Sequence, residues 1–398
     1  MKGHSYNIAF IGQTGVGKSS LINYLLGEVR AESGVGKPVT EKAFKEYKHK
    51  LKGIDINVYD SWGLEAGRHE EWKKLFSKAL SDHGVSKPPE EWFHTIIYCI
   101  GAVGGRIQDT DLEIIRLAVK ENYPVAIALT KVDLISDGDE NKLLAVLKDE
   151  FGDSKQIIIG SVCSESKVTR SKISKPFGKD VIEKIILDHV AVSIGLKLPD
   201  YLYEQMSKEL KLWQRKAFQL IENETGFFSD DVESELKRMA EKLNDTLSSL
   251  WTSTIQDVLL AYGGALGLCS EDLLHGIGFK KEYLHKNPET SLYDGKGFWE
   301  GLGITLLVPI VIPFAVVGFP LWAKDTNKDG YRKMVNRLVE NIDGNLRKMT
   351  LTLANRLNKD FVSPQSLQGS KENYLPDVFK SLFVALGLLI EQKSMHRT

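Results

Sequence analysis

The sequence predicts an α/β domain with a mainly parallel six-stranded sheet, followed by an all-α helical domain. Between residues 6 and about 165, short apolar runs alternate with longer amphipathic runs, a pattern typical of βαβ units. From about Asp200 onwards, the strand-like runs give way to long helical periodicity. A chain of 398 residues exceeds what one hydrophobic core usually holds. We therefore expect two domains, over residues 1–195 and 196–398.

The predicted strands are short apolar runs, rich in β-branched and aromatic residues, with turn signals at their ends. Helices are expected between most of them, as crossover connections of a parallel sheet require. In chain order, the six strands are Tyr6–Ile11, Lys42–Leu51, Ile54–Tyr59, Thr95–Ile100, Val125–Leu129 and Gln156–Ile159.

Composition and charge exclude several classes of protein. Hydrophobic residues make up 42% of the chain and charged residues 26%, which is typical of a globular protein. The net charge of -1 argues against broad electrostatic binding to nucleic acid. Cys99, Cys163 and Cys269 are odd in number and widely spaced, so a reducing compartment is expected rather than a disulfide framework or a zinc site. Because no signal peptide is indicated, we expect a cytoplasmic protein.

The first predicted strand ends in a full match to the phosphate-binding pattern GxxxxGK[ST], at residues 12–19, and a helix follows it. Its glycines let backbone amides approach phosphate oxygens without Cβ clashes, and the helix N-terminus adds a partial positive charge. Lys18 is expected to reach the β and γ phosphates, and Ser19 to offer a hard oxygen to Mg2+. The predicted nucleotide contacts are Gly12, Thr14, Gly15, Val16, Gly17, Lys18, Ser19 and Ser20.

Two further segments are candidates for sensing the γ phosphate. Asp60-Ser61-Trp62-Gly63 directly follows the third predicted strand, where a carboxylate can hold Mg2+ through water and a glycine amide can contact the γ phosphate. The turn-rich residues 34–40 end in the hydroxyl of Thr40, the candidate for the first switch. The predicted metal ligands are therefore Ser19, Thr40 and Asp60, and the predicted catalytic residues are Lys18, Thr40 and Gly63.

The end of the fifth predicted strand carries Thr130-Lys131-Val132-Asp133, which predicts guanine recognition. A carboxylate at Asp133 can accept hydrogen bonds from the guanine N1 and exocyclic amine, a pair that adenine does not offer. Lys131 is expected to lie along the base plane, and Thr130 stands where many GTPases have Asn. After the sixth strand, backbone amides near Cys163 and Ser164 are expected to contact the guanine O6. The predicted cofactors are GTP or GDP with Mg2+.

Together, the motifs GQTGVGKSSLIN, PVT, DSWG and TKVD resemble those of the translation-factor-related P-loop GTPases. The branch that they resemble holds the Era-like, immunity-related, septin-like and dynamin-like GTPases. The resemblance covers about the first 165 residues and implies hydrolysis of GTP to GDP and phosphate. Leu64 stands where small signalling GTPases carry the glutamine that orients the attacking water, so a slow intrinsic rate is expected. Dimerising relatives use a partner at this step, which implies a nucleotide-dependent homodimer or another protein partner.

Two apolar stripes at helical spacing mark the C-terminal half, and each predicts a long amphipathic helix. Either stripe could pack within a helical bundle or face a partner helix. The first stripe is Val232, Leu236, Met239, Leu243, Leu247 and Leu250, and the second is Met334, Leu338, Ile342, Leu346, Met349 and Leu353.

Residues 302–323 form an uncharged apolar run of 22 residues, long enough to cross a bilayer. Pro309, Pro313 and Pro320 interrupt it, so a hairpin of two short segments is favoured over one straight span. Three alternatives stay open for this run: a hairpin buried in the helical domain, a segment that touches a membrane surface, and a permanent anchor.

Three functions fit the sequence. The leading hypothesis is a GTP-hydrolysing switch or mechanoenzyme whose nucleotide state controls the helical domain, through dimerisation or membrane contact. The alternatives are an Era-like GTPase of ribosome or RNA assembly and a GTP-binding scaffold with negligible turnover. The near-neutral charge and the lack of interleaved basic and aromatic patches count against nucleic acid as a partner. The expected location is the cytoplasm, with peripheral membrane association left open.

Overall fold

A computed structural model describes the chain over residues 5–27, 44–51, 54–61, 63, 68–104, 106–152, 154, 156–165, 167–168, 173–223, 230–265 and 328–360. Strands β1 to β6 span Tyr6–Gly12, Phe44–Leu51, Ile54–Ser61, Phe93–Gly101, Val125–Thr130 and Ile157–Val162. Helices α1 to α4 span Lys18–Leu26, His69–Asp82, Asp109–Lys120 and Asp137–Phe151. The predicted α/β class and the six predicted strands are thereby confirmed, with strand ends that differ by at most three residues.

The six strands form one sheet in the order β2-β3-β1-β4-β5-β6. Every neighbouring pair is parallel except β2 and β3, which are antiparallel. Strand β1 therefore lies between β3 and β4. The strands that follow β1 in the chain are first added on one side of it, as β2 and β3, and then on the other side, as β4, β5 and β6. In an open α/β sheet, ligands bind at the carboxyl ends of the strands beside such a reversal of strand order.

The core of this domain lies on both sides of the central strands. All seven residues of β1 are buried, as are the first eight of β4. A strand buried on both faces reads as a continuous apolar run, which explains why these two strands were clear in the sequence. Strand β2 instead exposes Lys45, Lys48 and Lys50, the charged pattern that protects a sheet edge from pairing with another chain.

Three long helices follow the sheet: α5 spans Lys179–Asn223, α6 spans Asp230–Ala265 and α7 spans Lys328–Asp360. The chain divides into two compact units. Among the described residues, one unit holds those up to Lys197 and Ala261–Ala265, and the other holds Leu198–Leu260 and residues 328–360. Both predicted stripes lie on helices, with Leu236, Leu247 and Leu346 at most 1% exposed. The predicted helical region after the sheet domain is confirmed.

Two features of the chain between the sheet and the helices escaped the sequence analysis. A small antiparallel hairpin pairs β7 (Lys167–Val168) with β8 (Ile173–Ser174). Helix α5 begins at Lys179, about 20 residues before the first predicted helical periodicity, and continues through Pro199. None of the described residues from Ile185 to Pro199 is exposed, so this stretch lacks the polar face by which an amphipathic helix is recognised.

Some predicted features lie outside the residues that the structure describes. They are Thr40 of the first switch, Leu64 after Gly63, and the apolar run 302–323. Within the described ranges, none of the helices combines the length and the hydropathy that a membrane span requires.

Candidate functional site

The phosphate loop leaves the carboxyl end of β1 at Gly12 and enters α1 at Gly17. Gly12 has a φ of 144°, and a Cβ atom built there would lie 2.4 Å from the carbonyl oxygen of Cys99 on β4. Gly17, the residue before α1, has a φ of 104°. Only glycine adopts these conformations readily, so both residues are required by the path of the backbone.

Lys18 is the first residue of α1, and its side chain folds back over the loop. Its Nζ donates hydrogen bonds to the carbonyl oxygens of Gly12, at 3.0 Å, and Gln13, at 2.9 Å. The side chain is buried, and this burial lowers the pKa of Lys18 from its ordinary value, while Cys99 and Asp60 oppose the shift. A cation is therefore held on the inner side of the loop, where phosphate oxygens would meet it.

Asp60 lies next to this cation because β3 pairs with β1 so that Asp60 is opposite Phe10. Burial raises the pKa of Asp60 to about 6, against the opposing effects of Lys18 and of a hydrogen bond with Ser19. The Oδ1 atom of Asp60 is buried without a hydrogen-bond partner among the described residues. A buried, unpartnered carboxylate oxygen beside a serine hydroxyl is a donor set that suits Mg2+, which takes one or two protein oxygens besides phosphate and water.

Gly63 contacts the phosphate loop directly. A Cβ atom at Gly63 would lie 2.4 Å from Thr14 Oγ1, 2.6 Å from Thr14 Cα and 2.7 Å from Thr14 N. Since two of these three atoms belong to the backbone, no rotation of the Thr14 side chain could make room for a larger residue. The segment that follows β3 is thus within van der Waals contact of the loop that follows β1.

Thr130 and Lys131 join the end of β5 to the same loop. The Thr130 hydroxyl donates a hydrogen bond to the carbonyl oxygen of Val16 and approaches that of Ile100 at 3.2 Å. Lys131 has a φ of 58°, and its Nζ donates to the carbonyl oxygen of Gly15 at 2.5 Å. Thr130, at the position where many GTPases have Asn, therefore ties the end of β5 to the phosphate loop.

Asp133 lies in a short 3-10 turn, Val132–Leu134, at the carboxyl end of β5 and is half-buried. The neighbouring loop after β6 is fixed at Cys163, whose backbone N–H donates to the carbonyl oxygen of Phe177 at 3.1 Å. Because the Cys163 amide is already hydrogen-bonded, the first backbone amide of this loop that remains for the guanine O6 is that of Ser164. Ser20 of α1 reaches the same loop and donates to the Glu165 carboxylate at 2.6 Å.

One buried carboxylate near the loop was missed in the sequence. Asp111, in the first turn of α3, is 4% exposed and accepts hydrogen bonds from Gln13 Nε2 at 2.9 Å and from the Tyr98 hydroxyl at 2.8 Å. Its second oxygen accepts the backbone N–H of Gln108 at 3.1 Å. The spacing of Gln108 and Asp111 is a helix-capping pattern, the one signal that could have drawn attention to this residue.

The structure therefore brings the described members of the predicted site to one edge of the sheet. The mostly parallel six-stranded sheet and this arrangement match the P-loop GTPase fold. Residues 7–131 match the family described as 50S ribosome-binding GTPase.

Among curated relatives, the chain is similar to GTPase Der of Nitrobacter hamburgensis, with 28% identity over 141 residues that cover 35% of this chain and 29% of Der. It is also similar to the protein named "Probable GTP-binding protein EngB" of Thermosipho africanus, with 24% identity over 170 residues that cover 42% of this chain and 80% of that protein. The match spans less than a third of the length of the Der relatives.

Among solved structures, the chain is similar to Toc33 from Arabidopsis thaliana in complex with Mg2+ and GMPPNP, with a TM-score of 0.34 and 17% identity. That similarity covers 49% of this chain and 87% of Toc33. The G domain of the T. maritima FeoB iron transporter gives a TM-score of 0.30 at 19% identity, covering 47% of this chain and 99% of that domain.

Proposed function

We propose that this protein is a GTP-hydrolysing switch in which the nucleotide bound to residues 1–195 controls the helical domain, residues 196–398. The observation that carries the proposal is the meeting of Lys18, Ser19 and Asp60 beneath one glycine-rich loop, with Gly63 against that loop. The match of residues 7–131 to the family described as 50S ribosome-binding GTPase supports the GTPase part of the proposal.

In this proposal the side chains around the phosphate loop bind either the phosphates or Mg2+. Lys18 exchanges its hydrogen bonds to the Gly12 and Gln13 carbonyls for bonds to the β and γ phosphates, and its charge stabilises the transition state. Ser19 and Asp60 would hold Mg2+, Asp60 through water, together with Thr40. Bound Mg2+ would neutralise charge on the phosphate oxygens.

The contact between Gly63 and Thr14 supports a role for Gly63 in sensing the γ phosphate. A group inserted between the two segments must move at least one of them, because their backbones already touch. The presence or loss of the γ phosphate would thereby change the position of the chain after β3. A change of this kind is the usual output of a GTP-driven switch.

On the base side, Asp133 would select guanine, with Lys131 along the base and the amide of Ser164, next to the paired amide of Cys163, contacting O6. The ties from Thr130 to Val16 and from Lys131 to Gly15 support this assignment, because they fix the base-reading turn relative to the phosphate loop. A nucleotide that fits one half of the site is then positioned for the other half.

The experiment that tests the function measures phosphate release from Mg2+–GTP over a range of protein concentrations, together with particle size in GDP and in a transition-state mimic. A specific rate that increases with concentration, with larger particles in the mimic, supports a switch activated by dimerisation. A flat and negligible rate with tight GTP binding would instead support the scaffold. Equal binding of ATP and GTP would contradict the guanine site.

Membrane contact is an open part of the proposal and needs its own test. Binding of the full chain to anionic vesicles, with and without a GTP analogue, would show whether the helical domain reaches a membrane surface. Absence of binding in both states would remove membrane contact from the proposed function.

A second candidate function is binding to the large ribosomal subunit, and the family description favours it. The net charge of -1 gives no broad electrostatic attraction to RNA, so such binding would depend on specific contacts. Co-sedimentation with 50S subunits in the presence of a GTP analogue, but not of GDP, would support this candidate. Equal sedimentation without subunits would exclude it.

A further inference from the structure

The Asp111 carboxylate makes hydrogen bonds to the phosphate loop, to β4 and to the start of α3. One carboxylate oxygen accepts from Gln13 of the loop and from Tyr98 of β4, and the other accepts from the backbone at the start of α3. Tyr98 lies opposite Ile11 in the sheet, one residue before the loop begins. The carboxylate therefore joins the loop to the buried central strand β4.

Helix capping alone does not explain this residue. A cap requires one carboxylate oxygen on the Gln108 amide, and an exposed side chain would serve. Asp111 is instead 4% exposed, and burial of a charge is costly unless several donors compensate for it. Two of its three donors come from outside its own helix, so its contacts are directed towards the loop.

Gln13 is held at both of its ends. Its side-chain amide donates to Asp111, and its backbone carbonyl accepts a hydrogen bond from Lys18 Nζ at 2.9 Å. The next residue along the loop, Thr14, is the one that contacts Gly63. A shift of the Gln13 side chain would therefore move the backbone that contacts Lys18, and it would also move Thr14, which contacts the segment after β3.

We propose that Asp111 is a positioning residue that, through the Gln13 amide, holds the phosphate loop in the conformation that retains a guanine nucleotide. The inference rests on the proposed function, since it assumes that the loop binds GTP and GDP. Asp111 acts on the nucleotide only through Gln13 and does not touch the phosphates itself.

The test measures the rate of release of a fluorescent GDP from the full-length protein and from its Asp111→Asn and Gln13→Ala variants. Each variant is expected to release GDP about tenfold faster, which corresponds to about 1.4 kcal/mol. The double variant should be no faster than the faster single variant, because both changes break the same hydrogen bond. Urea unfolding of Gln13→Ala should stay close to wild type, which separates positioning from general stability.

Two further variants sharpen the test. Asp109→Asn removes the same charge from the same helical turn, but Asp109 is exposed and has no bond to the loop, so its release rate should stay within about twofold of wild type. Gln13→Glu places two carboxylates together and should release GDP faster. The double variant Gln13→Glu, Asp111→Asn should release GDP more slowly than Gln13→Glu alone. In the double variant the amide at position 111 can donate a hydrogen bond to the carboxylate at position 13, which restores the contact in the opposite direction.

The outcomes distinguish this inference from the proposed function. If wild-type protein binds no guanine nucleotide, the proposed function and the role of Asp111 are both wrong. If wild-type protein binds GDP and Asp111→Asn releases it no faster than Asp109→Asn does, only the role of Asp111 is overturned. Additive effects of Gln13→Ala and Asp111→Asn would overturn it as well.

Discussion

Lys18 is buried and Asp60 is half-buried beneath the phosphate loop, and burial favours the neutral form of each. It lowers the pKa of the lysine and raises that of the carboxyl to about 6. Each group partly offsets the shift of the other through its charge. Such a pair is costly to bury, and its retention at the end of β1 is more easily explained by ligand binding than by stability.

Asp133 provides the most direct test of base recognition at a single residue. Asp133→Asn is expected to weaken GTP binding by about 10- to 100-fold, because hydrogen bonds to a charged acceptor contribute about 1.5–3 kcal/mol. The same variant should gain affinity for xanthosine triphosphate, whose C2 carbonyl accepts a hydrogen bond from the new amide. Competition against a fluorescent GTP analogue measures both effects. Asp137→Asn, in the first turn of α4, serves as a charge-matched control.

His94 predicts a dependence of stability on pH. Burial, with a smaller effect of Lys197, lowers its pKa to about 3, and its Nδ1 accepts the backbone N–H of Asn7 at 2.9 Å, which requires the neutral ring. The unfolded chain gains a proton near pH 6.5 while the folded chain does not, so stability is lost as pH falls from about 6.5 towards 3. For this one group the slope approaches about 1.4 kcal/mol per pH unit only well below pH 6.5, and it averages about 0.8 kcal/mol per pH unit between pH 7 and pH 5.5.

Urea unfolding between pH 7 and pH 5.5 measures this slope. His94→Gln should reduce it without abolishing it, because burial also lowers the pKa of His189 to about 3. A variant with the same slope as wild type would show that His94 is not the neutral, buried ring that the structure indicates.

At the scale of elements, glycine is needed at the end of one helix but not in the interior of another. Gly152 ends α4 with a φ of 57°, and its N–H donates to the Lys148 carbonyl at 2.8 Å. Gly344 lies inside α7 at a helical φ, where an added Cβ would meet nothing within 4 Å. Only the first of these positions needs glycine.

The two glycines form a matched pair of substitutions. Gly344→Ala is expected to stabilise the protein by about 0.5–1 kcal/mol, because alanine loses less backbone entropy in a helix. Gly152→Ala, also in open space, should destabilise it by about 1 kcal/mol, because its φ is positive. Urea unfolding of both variants gives the comparison. The same sign for both would contradict the assignment of helix end and helix interior.

At the scale of the whole molecule, the chain divides into two compact units, with one boundary between Lys197 and Leu198. The sheet unit contains the described part of the proposed nucleotide site, and the helical unit contains the apolar stripes of α6 and α7. Ligand binding should therefore act first on the sheet unit.

A GTP analogue with Mg2+ is expected to raise the stability of the sheet unit by about 2.7 kcal/mol at a ligand concentration of 100 times Kd. Thermal unfolding followed by calorimetry measures the shift, and equal concentrations of an ATP analogue provide the control. An equal shift with the ATP analogue would contradict guanine selection. An equal shift without Mg2+ would contradict the role assigned to Ser19 and Asp60.

Much of the sheet domain could be predicted from local patterns. The buried strands β1 and β4 are continuous apolar runs, and the phosphate loop is a contiguous motif, so neighbouring residues suffice to recognise them. The first half of α5 could not be predicted in this way, because none of its described residues from Ile185 to Pro199 is exposed and no polar face marks the helix. The β7–β8 hairpin was missed because its strands have only two residues each.

By itself, the sequence determined the α/β class, the order of the strands along the chain, and the residue types of the proposed site. Only the tertiary structure showed that Asp111 contacts Gln13, 98 residues away, and that Thr130 and Lys131 contact the phosphate loop. It also showed that Gly63 lies against Thr14. The physical reason is that a motif specifies chemistry over a few adjacent residues, whereas such contacts depend on strand order and on burial, which arise only when the whole sheet is assembled.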